Sequence, residues 1–202
     1  MAMVIMSIIG LAVVGMAMAL TDAQEYSGDF YRNVQIARNS MRYLQRAVQK
    51  ANLITAVDSD SLAYWLEDTN DNGRINATEI RLIAFDGARS ELAEYKIEFP
   101  SWWSQQLRDL MDAEISLEWM TDMSNVENLK SISYGVKRVL ATDASSSAFS
   151  ASPGPPLTKL LQTEVTIGQG DRRVALRSAV ALRADWVGHV GTIKDDWVLD
   201  TE

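Results

Sequence analysis

MAMVIMSIIGLAVVGMAMAL, residues 1–20, runs straight into TDAQEYSGDFYRNVQIARNSMRYLQRAVQKANLI, residues 21–54, and the reading of that junction decides the fold. The first part carries no charge, and as a helix it reaches roughly 30 Å, the hydrocarbon thickness of a bilayer. It is expected to be transmembrane over residues 1–20. The second part keeps the helical period, because Tyr26, Phe30, Val34, Ala37, Met41, Leu44, Val48 and Ala51 recur in steps of three and four, one face of a helix. Arg32, Arg38, Arg42, Arg46 and Gln49 fall on the other side. One near-continuous helix over residues 1–54 is therefore expected, with Gly28 as a weak point costing about 1 kcal/mol relative to Ala. Its periodic face is expected to pack on the domain that follows.

The flanks set an orientation. No Lys or Arg precedes the apolar run, so it lacks the basic start of a removed secretory signal. Asp22, Glu25 and Asp29 come before the first base at Arg32, and the positive-inside rule gives no reason to hold that side in the cytoplasm. The bulk of the chain is expected on the outer side.

Composition narrows the function classes. A chain of 202 residues, 47% hydrophobic and 23% charged, holds enough apolar material for one real core. The net charge of −8 argues against a protein that coats nucleic acid, whose phosphates are met by Lys and Arg. With no Cys and one His, His189, thiol chemistry, disulfides and the usual zinc and triad arrangements are excluded. No nucleophile–base pair, phosphate-cradling glycine loop or well-spaced acid pair stands out, and no enzyme is expected. The charge is uneven: residues 55–128 hold 16 acids and 5 bases, residues 157–184 hold 5 bases and 2 acids. Such runs are commonly solvated faces, or complementary surfaces on neighbouring copies.

Beyond the helix the pattern turns to strands. In LAYWLE, Leu62, Tyr64 and Leu66 alternate with Ala63, Trp65 and Glu67, and IRLIAFD is rich in β-branched and aromatic residues. Between them lies DTNDNGRINATE, with oxygen donors at the offsets of an EF-hand calcium loop: Asp68, Asn70, Asn72, the Arg74 carbonyl, Asn76 and Glu79. Too few residues precede Asp68 for an EF-hand helix. The loop is expected to close a β-hairpin, with Asn72-Gly73 supplying a positive φ, and to bind calcium weakly, since only Asp68 and Glu79 are anionic. A bare turn is the alternative.

PSWWSQQLRDLMDAE is expected to form a short helix capped by Ser101, with Trp102 and Trp103 in the core. GVKRVLATD, LTKLLQTEVTIG and RRVALRSAVALRAD are expected strands, the last two joined at GQGD. DASSSAFSASPGPP, residues 143–156, is expected to be a flexible loop stiffened by Pro155-Pro156. The fold class is then α+β: a long N-terminal helix packed on an antiparallel sheet.

A helix apolar all round and then amphipathic, opening a mostly extended chain, resembles the type IV pilin-like family. AMVIMSIIGLAVVG is similar to the hydrophobic run after the prepilin cleavage site, and the arrangement of the C-terminal half most resembles a minor pseudopilin of type II secretion. The family's leader, cleavage-site glycine, aromatic first residue and nearby glutamate do not stand ahead of or within this run. The expectation is a truncated chain or a start placed inside a longer reading frame. The resemblance implies a structural subunit of a pseudopilus or pilus-like filament, stored in the inner membrane by a single pass, with residues 55–202 as a periplasmic β-rich domain and other pilin-like subunits as partners. The competing expectation is a membrane-anchored periplasmic calcium- or ligand-binding module that does not polymerise.

Overall fold

The computed structural model describes residues 2–70, 72–182, 190–193 and 196–199; side chains of residues 2–10, 12 and most of the last two strands, together with His189, lie outside that description. Helix α1, Ala2–Lys50, is 49 residues long, roughly 75 Å at 1.5 Å per residue. It ends at Lys50 rather than near residue 54. The reason is strand pairing: β1, Leu53–Val57, lies antiparallel to β2, Ser61–Trp65, and the Asn52 N–H already donates to the Trp65 carbonyl at 2.9 Å. The β-branched run Ile54-Thr55 favours that extended state.

β3, Ile80–Asp86, β4, Glu91–Ile97, and β5, Gly135–Ala141, complete a five-stranded antiparallel sheet in the order β1-β2-β3-β4-β5. The LAYWLE and IRLIAFD strands pair directly, Trp65 opposite Ile80 and Ser61 opposite Ala84. A second sheet holds β6, Ala144–Ser152, β7, Leu160–Ile167, and β8, Val174–Ala181, in that order. The expected flexible loop at 143–156 is thus largely a strand. Its small serines fit a pleated ladder against β7, while Ala144 and Phe149 are buried, so the composition that reads as a linker serves as a thin strand over the core. β7 and β8 are joined at GQGD as expected, with Gly168 at φ +89°. A Cβ there would lie 2.5 Å from Asn33 Nδ2 and 2.6 Å from the Arg172 carbonyl, so the close approach requires glycine.

Two clusters share the five-stranded sheet. On one face Ala37, Met41, Leu44, Val48 and Ala51 of α1 pack against Ile54, Leu62, Ile83 and Leu92, and also against Phe149, Leu161, Val165 and Val180 of the three-stranded sheet. The helix is wedged between the two sheets. On the opposite face Leu53, Ala63, Trp65, Leu82 and Tyr95 meet α3, Leu117–Thr121, and α4, Met123–Val126, through Leu117, Met120 and Val126. Strands β9, Val190–Ile193, and β10, Asp196–Leu199, form an antiparallel pair that touches this cluster through Val190 and Trp197.

Helix α2, Gln105–Met111, starts later than expected: Ser104, not Ser101, is its cap, its Oγ accepting from the Leu107 N–H at 3.3 Å. Trp102 is not in the core but 81% exposed, whereas Trp103 stacks on Phe99 with ring centroids 5.4 Å apart. Leu44, fully buried between both sheets, carries the sharpest expectation for stability. Leu44→Ala should lower the unfolding free energy by about 2–5 kcal/mol in chemical denaturation, because neither sheet can close the cavity alone.

Candidate functional site

Three features qualify, and each is set by a different element. The first is α1 itself. From Ala37 onward its stripe is buried, but Leu11, Val13, Val14, Met16, Met18 and Leu20 project beyond the body and are exposed, Met16 by 75%. Tyr26 and Phe30, expected on the packed stripe, are also exposed. The helix leaves the body at a polar strap: Tyr26 Oη donates to the Asp171 carbonyl at 3.1 Å, Asn33 Nδ2 to the Arg172 carbonyl at 3.1 Å, and Arg172 pairs with Asp29. A Cβ at Gly15 or Gly28 would meet nothing, so neither glycine serves packing within the subunit. Among the described residues no helix is long and apolar enough to cross a membrane. Most of the span expected over residues 1–20 falls on side chains outside the described set.

The second feature is the calcium-like loop. Asp68 Oδ1 and Oδ2 accept the Asn72 and Gly73 N–H groups at 3.2 and 2.7 Å, Asn70 Oδ1 accepts the Asn72 N–H, and Asn72 Oδ1 accepts the Arg74 N–H at 2.7 Å. The Asn70 and Asn72 amides both donate to Asn76 Oδ1. Gly73 takes a φ of +71°, as the turn demands. The structure thus gathers Asp68, Asn70, Asn72 and Asn76, but it turns Glu79 away. Glu79 is 1% exposed; its Oε1 accepts from the Thr69 N–H and Oγ1, and its Oε2 from Trp65 Nε1 and the Asn76 N–H, at 2.7 to 3.2 Å. A buried carboxylate needs such donors, and here it closes the hairpin from inside. The loop is also stitched to the end of α2, where Asp112 accepts from the Thr78 N–H and Oγ1 and from Asn76 Nδ2. Asp68 is left as the one anionic side chain facing the loop centre from the expected set. Asp71 lies outside the described residues. Among those described, no three His, Cys, Asp or Glu side chains are placed to hold a metal ion together.

The third feature is one that pattern reading misses. Glu94, in the middle of β4 and buried, accepts from Tyr43 Oη of α1 at 2.6 Å and from Tyr64 Oη of β2 at 2.7 Å. Arg138 stacks on the Tyr43 ring at 4.7 Å. Burial and the neighbouring Glu94 push the Tyr43 phenol up to about 12, and burial and Glu94 push that of Tyr64 well above its usual value. Both phenols therefore stay donors to the carboxylate. Around them opens a cleft of about 460 Å³ that also takes in Arg46, Lys50, Arg81 and Lys96. The signal available in the sequence was a lone Glu at a core position of an alternating strand, visible only once β4 is placed.

The chain is α+β, with a long N-terminal helix on antiparallel sheet. Comparison with protein-family models, with curated proteins and with solved structures finds no match in any of the three.

The tyrosine pair predicts an alkaline weakness. The native phenols hold their protons above the unfolded value of about 10, so their stabilisation is complete below that pH and is lost as pH rises towards about 12. Urea unfolding followed by tryptophan fluorescence should show stability falling across that window. Tyr43→Phe should flatten part of the fall.

Proposed function

We propose that this protein is a structural subunit of a type II secretion pseudopilus or a type IV pilus-like filament, held in the inner membrane by the start of α1 with its body in the periplasm. One observation carries the reading: a single helix whose second half is buried between two sheets while the described apolar side chains of its first half, Leu11 to Leu20, have no partner in the subunit. An apolar surface of that extent must be covered. Lipid covers it in storage, and the same segment of other copies covers it in a filament. Gly15 supports the second role, because small residues let helices approach and pack by van der Waals contact, and nothing inside the subunit uses it.

Crosslinking of the full-length gene product in bacterial cells tests this. Gly15→Leu should cut subunit-to-subunit crosslinks while membrane insertion is unchanged, since a Cβ there meets no atom of its own subunit. Unchanged crosslinking would instead favour a solitary anchored module that does not polymerise.

The Asp68 to Asn76 oxygens add a calcium clip of low charge to this reading, and low ligand charge means weak affinity. Millimolar calcium should raise the melting temperature, because an ion bound by the native state adds stability by mass action. Asp68→Ala should abolish that rise. Glu79→Ala should instead lower stability by about 3 kcal/mol with or without calcium, because it strands buried donors. A calcium shift that survives Asp68→Ala would remove the clip.

A further inference from the structure

The two faces of the five-stranded sheet are covered by elements of opposite charge. On the α1 side, Arg38, Arg42, Arg46 and Lys50 stand at successive i, i+4 positions, all exposed. None has an ion pair among the described residues. Side chains four apart on a helix are neighbours and like charges there repel, so the column works against helix stability in the isolated subunit. Arg138 stands at the foot of the column, in the cleft it shares with Arg46 and Lys50. The carboxylate that shares the cleft with Arg46 and Lys50, Glu94, is taken up by the Tyr43 and Tyr64 hydroxyls and pairs with neither cation.

The carboxylates lie on the other side. α3 and α4 cover the opposite face of the sheet, and there Glu118 and Asp122 are exposed with no cation paired to them among the described residues. The complement of the basic column is thus carried by the same chain, on the reverse of the same sheet.

We propose that the basic α1 column of one subunit docks on the acidic α3–α4 face, with Glu118 and Asp122, of a second copy. A contact between two different faces does not close on itself, and repeating it adds copies in a row. The proposal rests on the filament reading for its setting and deepens it by naming the two faces that meet.

The absence of cysteine gives a clean test on the full chain in detergent. Gln49→Cys and Ser124→Cys place one thiol beside each charged face without removing a charge. Mixed under mild oxidation at low salt, the two variants should form a 49–124 disulfide in preference to 49–49 or 124–124. The yield should collapse near 1 M salt, where the screening length is about 3 Å. Adding Arg42→Glu and Arg46→Glu to the first variant should lower the yield about tenfold, because like charges brought face to face suppress a contact. Adding Glu118→Lys and Asp122→Lys to its partner should restore it. Rescue by double reversal guards against misfolding as the cause. No 49–124 disulfide, a yield indifferent to salt, or failure of the rescue would overturn the proposal, as would a polyglutamate peptide binding the wild-type column without self-association. The filament reading fails separately: Gly15→Leu silent in cells while the 49–124 disulfide forms would remove that reading and keep this one.

Discussion

The packing of five α1 side chains, Ala37, Met41, Leu44, Val48 and Ala51, between two sheets is the contact on which the rest of the structure depends. Neither sheet completes a core alone. The three-stranded sheet places Phe149, Leu161, Val165 and Val180 on the same helix stripe that the five-stranded sheet reaches with Leu62, Ile83 and Leu92. Burial of that stripe is what holds the long helix against a β-rich body, since most helical stability in proteins comes from packing of an amphipathic face. It also explains why the second cluster, around Trp65 and Leu82, can be covered by short helices and the β9–β10 pair. They need to cover a sheet already held on its other side.

Two buried carboxylates divide the remaining specificity between them. Glu94 ties α1 to the sheet through Tyr43 and Tyr64, and Glu79 ties the long hairpin loop to the strand that precedes it through Trp65 and Thr69. Glu94 is satisfied by donors from segments distant in sequence, Glu79 by donors of its own hairpin. Replacing both partners of such a contact with apolar groups can be nearly neutral, but removing one strands the other. These positions accordingly fix which strands lie where and in which register.

How far this was legible from sequence varies by element. The helix, the strands around Leu62 and Leu82, the β7–β8 hairpin and the Gly73 turn follow from period and turn chemistry, which are local. The end of α1 at Lys50 does not, because the pairing of β1 with β2 competes with helix propensity there. Strand β6 was hidden by its serines, whose place in a ladder is decided by the neighbour β7 and not by their own preference. β4 went unread because ELAEYKI carries Glu91, Glu94 and Lys96 on both sides of the strand, and the buried one, Glu94, is satisfied only in the assembled sheet. At the candidate site, spacing marked Asp68, Asn70, Asn72 and Asn76, which hydrogen bonds draw together, but could not see that Glu79 faces Trp65. Offset along a chain does not give direction in space.

The polar strap at Asp29, Asn33 and Tyr26 has a mechanical consequence. It sits where α1 leaves the body, so a force applied to the apolar end along the rod's axis loads the whole stripe from Ala37 to Ala51 at once, in shear. A sideways force must first prise Arg172 from its partners and would then peel the helix off one turn at a time. The subunit is therefore a stiff coupling in the axial direction and a weak one in bending, with the yield point at the strap.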